Sequence, residues 1–121
     1  MLAVEENPIA LSYARRNIGN NHVFLQGKLE EMVLKGQREL LEFHPEVILV
    51  DPPRSGLDVS VQNYLVSQRP EKLVYVSCNP VTLARDLKVL LGSGFVLEDL
   101  RLFDFYPQTS HIEVVAKLRK T

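Results

Sequence analysis

The chain has 121 residues, of which 45% are hydrophobic and 24% are charged, and its formal net charge is −1. This length allows one modest domain with a hydrophobic core, and the composition is ordinary for a globular protein. The near-zero net charge excludes a strong overall field that would attract nucleic acid or a membrane. A single cysteine excludes an internal disulfide and, beside three scattered histidines, argues against a zinc site.

The sequence also lacks the usual signals for export or membrane insertion. No apolar run approaches the roughly 20 residues that a membrane-spanning helix needs. The N-terminal residues show no basic region followed by an apolar one, which a signal peptide would have. We therefore expect a cytoplasmic, reducing location and no membrane partner.

Short apolar runs alternate with longer amphipathic ones over most of the chain. They predict strands at residues 2–4, 22–26, 46–50 and 72–77, and helices at residues 8–17, 28–43, 59–68 and 80–91. Asn7 and Pro8 have the chemistry of a helix start, with asparagine as the N-cap and proline in the first turn. Gly36 weakens the predicted helix 28–43. Turn-forming residues at 19–21 separate the first helix from the next strand.

The predicted helix at residues 80–91 has the clearest amphipathic pattern. Its apolar residues share one helical face: Leu83, Ala84, Leu87, Leu90 and Leu91. Strands at residues 95–105 and 112–118 follow, with a turn around Pro107, and they should pair antiparallel because no helix fits between them. The order βαβαβαβαββ predicts an α/β fold with a mostly parallel sheet that ends in an antiparallel hairpin.

Asp51 directly follows the predicted strand 46–50 and precedes Pro52, Pro53 and Arg54. The two prolines fix the backbone as it leaves the strand and prevent a helical start, so they hold the Asp51 carboxylate at the sheet edge. In open α/β sheets this edge is where ligands bind. Asp51 is therefore either a contact for cofactor or substrate, or a turn cap at the end of the strand.

Cys78, the only cysteine, follows the predicted strand 72–77 and precedes a helix that begins near Pro80. The positive end of a helix dipole favours the thiolate form of a nearby thiol. Cys78 is therefore either a nucleophile at the sheet edge or a small buried apolar side chain, which is the common role of a lone cysteine. Adjacent strand ends should present Asp51 and Cys78 side by side.

Two glutamates occupy notable strand positions. Glu113 stands inside the apolar run at residues 112–116. It is either an exposed edge residue or a carboxylate that can take a proton beside an active centre. Glu5 follows the first predicted strand, where an acid often binds ribose hydroxyls. The adjacent Glu6 shows that one acid alone is a weak signal.

Three stretches together resemble the S-adenosylmethionine-dependent RNA uracil-5-methyltransferases, which act on ribosomal and transfer RNA. They are residues 51–58 (DPPRSGLD), 75–87 (YVSCNPVTLARDL) and 105–113 (FYPQTSHIE). Their order and spacing also match, and the resemblance covers essentially the whole chain. It implies a Rossmann-like class I methyltransferase fold, S-adenosylmethionine as the methyl donor and RNA as the partner.

The resemblance also implies roles in the reaction. Cys78 would be the nucleophile that adds to C6 of the target uracil. Glu113 would be the base that removes the proton from C5 after methyl transfer. Asp51 would lie in the pocket between methyl donor and uracil and, together with Glu5, would bind the cofactor.

The remaining motif residues concern the substrate. The resemblance implies that Arg54, Asn79 and His111 contact the RNA. Residues 107–110 (PQTS) are closer to the ribosomal RNA branch of the family than to the transfer RNA branch. We therefore expect the target to be a uridine of ribosomal RNA.

The chain also departs from the family pattern. The family's catalytic domain normally begins with a further strand and a Gly-rich loop that holds the methionine part of the cofactor, whereas this chain starts at the second strand. Gly27 and Lys28 stand where an acid near the adenine is often found. We therefore expect residues 1–121 to form one partial methyltransferase domain with an incomplete cofactor site. The missing central strand would be replaced by closure of its neighbours, by another chain, or by strand exchange in a homodimer.

Two functions stay open. The first is an RNA uracil-5-methyltransferase, present here as a fragment or truncated form. The second is a catalytically inactive remnant that keeps the fold and dimerises as an interaction module. Methylation of amino groups is disfavoured, because Arg54 replaces the aromatic residue that such enzymes carry after Asp-Pro-Pro and because Cys78 is present.

Overall fold

The computed structural model describes residues 1–19 and 21–121, which fall into two compact units, residues 1–43 and 44–121. The elements, in chain order, are β1 (Leu2–Glu5), α1 (Pro8–Ile18), β2 (Val23–Gln26), α2 (Leu29–Lys35), α3 (Arg38–Glu42), β3 (Val47–Val50), α4 (Val59–Gln68), β4 (Lys72–Ser77), α5 (Pro80–Gly92), β5 (Phe95–Phe103) and β6 (Glu113–Lys120). Among the described residues, no helix is both long and apolar enough to cross a membrane.

The first unit is built on the parallel pair β1 and β2. The predicted start of α1 is confirmed, because the side-chain oxygen of Asn7 accepts hydrogen bonds from the backbone N–H groups of Ile9 and Ala10. Pro8 occupies the first turn, where its missing N–H costs nothing. The predicted turn at residues 19–21 includes Asn20, which lies outside the described residues.

The predicted single helix over residues 28–43 is wrong. The structure has two helices, α2 and α3, divided at Gly36. Gly36 has a φ of +68°, in the left-handed region, and its N–H bonds to the carbonyl groups of Met32 and Val33. Glycine adopts this conformation without steric cost, so it closes α2 instead of continuing it.

The second unit contains a four-stranded sheet with the order β3-β4-β6-β5. β3 and β4 are parallel, whereas β6 runs antiparallel to both β4 and β5. The predicted α/β class with a closing antiparallel hairpin is confirmed. The last strand of the chain, β6, is the strand that neighbours β4.

One face of this sheet packs against helices and forms the core. Tyr75 of β4 faces α5, because its hydroxyl donates to Asp86 of that helix. The strand residues buried on this face are Val50, Leu73, Tyr75, Ser77, Val114, Ala116 and Leu118. On the opposite face Val74, Val76 and Val115 are only half-buried. Strand residues therefore alternate between a sealed face and an accessible one.

Helix α5 agrees with its predicted position, but only part of its predicted apolar face is buried. Leu83 and Leu90 are buried, whereas Ala84 and Leu91 are exposed. Ala84 instead lines an open apolar groove between α5 and the strands β5 and β6. The sheet covers a narrower stripe of the helix than the sequence pattern indicates.

Gly36→Ala is expected to lower the stability of the first unit by about 1 kcal/mol, because alanine is forced into the left-handed region. Gly92→Ala is the matched control. Gly92 has no left-handed φ, and nothing lies within 4 Å of an added Cβ, so this variant should be neutral or slightly stabilising. Urea unfolding followed by circular dichroism measures both, and equal stability of the two variants would contradict the assigned end of α2.

Candidate active site

Cys78 lies between the end of β4 and the start of α5. Asn79 is the N-cap of α5, and its Oδ1 accepts the N–H of Val81 at 3.0 Å. Ser77 Oγ accepts the N–H of Asn79 at 3.0 Å and donates to the Asn79 carbonyl at 2.9 Å. These bonds close a tight turn around the half-exposed thiol. The structure therefore places Cys78 at a strand end and beside the positive end of a 13-residue helix, as predicted.

The register of β6 against β4 brings Glu113 to Cys78. Ser77 pairs with Val114. Cys78 directly follows the last residue of β4, and Glu113 is the first residue of the antiparallel β6. The thiol and the half-buried carboxylate therefore lie at the same edge of the sheet, one residue beyond the Ser77–Val114 pair.

Asp51 leaves β3 at the same edge. Val50 pairs with Tyr75 in parallel register, so Asp51 is level with the residue two positions before Cys78. Val114 is buried, so alternation along β6 puts Glu113 on the opposite, accessible face. Asp51 and Cys78 directly follow the last residues of β3 and β4, and Asp51 is exposed whereas Cys78 is half-buried. β3 and β4 are adjacent, so Asp51 and Cys78 follow neighbouring strand ends. Their presentation side by side stays a prediction.

The segment after Asp51 is attached to the first turns of α5. The carbonyl oxygen of Arg54 accepts hydrogen bonds from Asn79 Nδ2 at 3.1 Å and from Thr82 Oγ1 at 3.0 Å. The Arg54 side chain itself is exposed. The backbone at Arg54 is therefore held against the same helix start that carries Cys78.

Asn79 and His111 were predicted to contact RNA, and the structure gives each a local contact. Both polar ends of the Asn79 side chain are used, since Oδ1 caps α5 and Nδ2 donates to Arg54. The exposed His111 ring meets the Tyr106 ring edge to face, with centroids 6.4 Å apart. Contact of either residue with RNA stays a prediction.

Glu5 belongs to the first unit, where it ends β1. Its Oε1 accepts the N–H of Asn7 at 2.8 Å, so the carboxylate helps to start α1. Glu5 was expected to follow a strand at residues 2–4, whereas the structure makes it the last residue of β1, paired with Gln26 of β2. Binding of ribose by Glu5 stays a prediction.

Two side chains near the sheet edge have shifted pKa values. Burial, followed by the hydrogen bond to Asp86 and its charge, raises the pKa of Tyr75, so the Tyr75 hydroxyl stays protonated and acts as a donor. Hydrogen bonds from the side chain and backbone of Ser60 lower the pKa of Asp58. Asp58 is the N-cap of α4. The loop that begins at Asp51 therefore ends at Asp58, whose ionised carboxylate caps that helix.

The sequence interpretation missed one carboxylate, that of Asp86. Asp86 lies in α5 and has 0% exposure. A signal was available, since Asp86 falls between Leu83 and Leu90 on the apolar face of the predicted helix. A charged residue in that position requires partners, and the structure supplies them.

The fold is shared with known methyltransferases. The N-methyltransferase NodS from Bradyrhizobium japonicum, in complex with S-adenosyl-L-homocysteine, superposes with a TM-score of 0.66. The alignment covers 98% of this chain and 65% of that chain at 13% sequence identity. At this identity the likeness defines the fold class alone, which is the Rossmann-like methyltransferase fold.

Sequence comparison gives the family. The model of the tRNA (uracil-5-)-methyltransferase family matches residues 4–121, and the chain belongs to this family. An uncharacterized RNA methyltransferase of Enterococcus faecalis is 44% identical over 107 residues, which are 88% of this chain and 23% of that protein. Another, from Oceanobacillus iheyensis, is 40% identical over 119 residues, or 95% of this chain and 26% of that protein.

A solved structure agrees with this assignment. The tRNA (uracil-54, C5)-methyltransferase of Pyrococcus abyssi, in complex with S-adenosyl-L-homocysteine, superposes with a TM-score of 0.73 at 31% identity. The alignment covers 97% of this chain and 28% of that chain. The chain therefore spans about a quarter of the length of the relatives it matches.

Substitutions at Asn79 separate its two contacts. Asn79→Asp keeps the acceptor that caps α5 and removes the donor to Arg54, whereas Asn79→Ala removes both. We expect Asn79→Ala to lower the free energy of unfolding by about 1–2 kcal/mol, and Asn79→Asp by about 0.5–1 kcal/mol. Urea unfolding measures the difference. An Asn79→Ala variant as stable as the unsubstituted chain would show that neither bond matters.

Proposed function

We propose that this chain carries the base-chemistry part of an RNA (uracil-5-)-methyltransferase, which transfers a methyl group from S-adenosylmethionine to C5 of a uridine. The observation that carries the proposal is the register between β4 and β6, which pairs Ser77 with Val114. This register supports a neighbouring placement of Cys78 and Glu113, which are the next residues at that edge of the sheet. The reaction needs a nucleophile at C6 and a base at C5. C5 and C6 are bonded neighbours, so the two protein groups must also be neighbours.

The family match favours an enzyme over an inactive remnant. It runs over residues 4–121 and so includes all three motifs. Asp51, Cys78 and Glu113 all lie at one edge of the four-stranded sheet. A module that only interacts with partners has no need for this arrangement.

Cys78 opens the proposed reaction. Its thiolate attacks C6 of uracil and forms an S–C6 bond, while the electron pair of the C5–C6 double bond moves towards C5 and the C4 oxygen. The resulting enolate makes C5 nucleophilic, which C5 of free uracil is not. Methyl transfer would form the C5–CH3 bond, break the bond between that methyl group and the sulfonium sulfur of S-adenosylmethionine, and release S-adenosyl-L-homocysteine. C5 would then carry both its original hydrogen and the new methyl group.

Glu113 closes the reaction. Its carboxylate takes the proton from C5, and the C5–H electron pair re-forms the C5–C6 double bond. The S–C6 bond breaks and the Cys78 thiolate leaves. Glu113 must therefore reach the ring atom next to the one that Cys78 attacks, which suits two opposed positions of an antiparallel pair.

In the second unit, Asp51 is the residue that would hold S-adenosylmethionine, and for Glu5 of the first unit the same role stays a prediction. When bound, this cofactor supplies an activated methyl group. Glu5 is the last residue of the parallel strand β1, and Asp51 directly follows the parallel strand β3. Carboxylates at such strand ends suit the hydroxyl donors of a ribose. Asp51 also lies at the same edge of the sheet as Cys78 and Glu113, which suits a position between donor and uracil.

RNA that contains 5-fluorouracil tests the chemistry directly. In the complete gene product that carries these residues, we expect a covalent protein–RNA complex on a denaturing gel, because fluorine at C5 cannot be removed as a proton. Cys78→Ser should abolish this complex. Glu113→Gln is the matched control and should still form it, since Glu113 acts only after methylation. Absence of the complex with unsubstituted protein would refute the proposal.

The RNA class is tested separately. We propose ribosomal RNA on the basis of residues 107–110, although the family model and the Pyrococcus abyssi enzyme are named for tRNA. Cells lacking the gene supply both unmodified RNAs, and we expect the complete gene product to transfer radioactive methyl groups to the ribosomal RNA. Labelling of tRNA alone would overturn the ribosomal assignment but not the uracil chemistry. A cytoplasmic location and a homodimer stay predictions.

A further inference from the structure

Asp86 is a fully buried carboxylate that accepts hydrogen bonds from four different residues. Its Oδ2 accepts the N–H of Leu57 and the hydroxyl of Tyr75, both at 2.7 Å. Its Oδ1 accepts Gln62 Nε2 at 2.9 Å and two guanidinium nitrogens of Arg85 at 2.8 and 2.9 Å. Burying a carboxylate is costly unless it is paired and hydrogen-bonded. Both conditions are met here.

The donors to Asp86 come from different parts of the second unit. Tyr75 belongs to β4 and Gln62 to α4. Leu57 belongs to the loop at residues 51–58, which begins with Asp51. The Asp86 carboxylate of α5 therefore holds β4, α4 and the loop that carries Asp51 through hydrogen bonds.

Two other side chains of α5 hold the carbonyl groups of the same loop. Arg85 Nη2 donates to the Ser55 carbonyl at 2.9 Å. One turn earlier, Thr82 Oγ1 donates to the Arg54 carbonyl at 3.0 Å. We call Thr82, Arg85 and Asp86 the loop clamp.

Gly56 shows how closely the loop approaches the helix. It has a φ of +79°, and a Cβ at this position would lie 2.6 Å from both Arg85 Nη2 and Asp86 Oδ2. It would also lie 3.1 Å from Thr82 Cβ. The loop backbone is therefore seated directly on the clamp.

We propose that Arg85 and Asp86 are positioning residues that set the separation between Asp51 and Cys78. The loop carries Asp51 at its start, and α5 carries Cys78 just before its first turn, so the clamp joins the two halves of the candidate site. This inference rests on the proposed function. A displacement of about 1 Å in a reacting group can lower a rate about 10²-fold. Arg85 and Asp86 act through the loop and not on the uracil.

Arg85→Ala tests the clamp in the complete gene product. The Arg85 side chain is 53% exposed, so its removal leaves no cavity in the core. It does remove the charged partner of the buried Asp86 carboxylate, which lowers stability, so kcat is measured at a temperature where Arg85→Ala is folded. We expect kcat to fall about 10-fold or more. The KM for S-adenosylmethionine should rise as well, because the clamp positions Asp51, which the proposal places against the cofactor. Asp86→Asn tests the buried carboxylate of the loop clamp. If Asp86→Asn fails to fold, the kcat of Arg85→Ala decides whether the positioning role is correct.

Conservative substitution gives a further readout. Arg85→Lys should recover part of the lost kcat, since an ammonium can donate to the Ser55 carbonyl but cannot form the two-pronged contact with Asp86. Lys88→Ala is the matched surface control, because Lys88 is an exposed residue of the same helix. Its kcat should be unchanged.

Gly94→Ala controls for stability alone. Gly94 has a φ of +97°, but its nearest neighbour to an added Cβ is 3.4 Å away and is not part of the clamp. This variant should lose stability and keep its kcat at temperatures where it is folded.

Three results would contradict a proposal. Two of them concern the positioning role, and the third concerns the proposed function. An unchanged kcat in Arg85→Ala would overturn the positioning role and leave the proposed function intact. A fall in kcat in Gly94→Ala equal to that in Arg85→Ala would also overturn it, because lost stability would then explain both. No covalent complex between unsubstituted protein and 5-fluorouracil RNA would overturn the proposed function itself.

Discussion

The antiparallel placement of β6 beside β4 is the constraint on which the candidate site depends. A parallel strand would bring its C-terminal end to Cys78, whereas an antiparallel one brings its first residue, Glu113. The register is held by Val114, Ala116 and Leu118, which are all buried. A slip of one residue would turn these side chains out of the core and Glu113 into it. Core packing therefore fixes the position of the proposed base.

Polar contacts hold the loop after β3 in place, whereas apolar contacts hold the strands. A buried charged network contributes little net stability compared with apolar packing of the same volume. The Asp86 network is better understood as a device that allows one loop conformation, because every acceptor position has a geometrically defined donor. The raised pKa of Tyr75 agrees with this, since its hydroxyl must keep its proton to donate.

Local chemistry made much of the fold predictable. The helix starts at Asn7 and Asn79 follow from an asparagine cap and a proline, and the strands follow from short apolar runs. The insertion of β6 between β4 and β5 was not predictable, because strand order is decided by packing between distant segments. The break at Gly36 was missed because a glycine inside a helical pattern either weakens the helix or ends it, and the pattern alone does not distinguish the two.

The candidate site, like the fold, was only partly predictable from the sequence. Cys78 and Asp51 could be placed at strand ends from the sequence, and Glu113 was noticed as an acid inside an apolar run, with its role as base implied by the resemblance. The register that brings the start of β6 to the end of β4 came from the structure. Asp86 could not be assigned partners, since its donors come from residues 57, 62, 75 and 85. Their convergence depends on tertiary structure.

The central claim is that Cys78 and Glu113 occupy opposed positions at the edge of the sheet. A disulfide between Cys78 and the thiol introduced by Glu113→Cys tests it in the 121-residue chain itself. Opposed positions lie within the roughly 4.4–6.8 Å Cα separation that a disulfide requires. Mild oxidation followed by non-reducing peptide mapping should show this crosslink in Glu113→Cys and none in Lys117→Cys, which is paired with Val74. Failure of Glu113→Cys to crosslink in the folded chain would contradict the register and the site built on it.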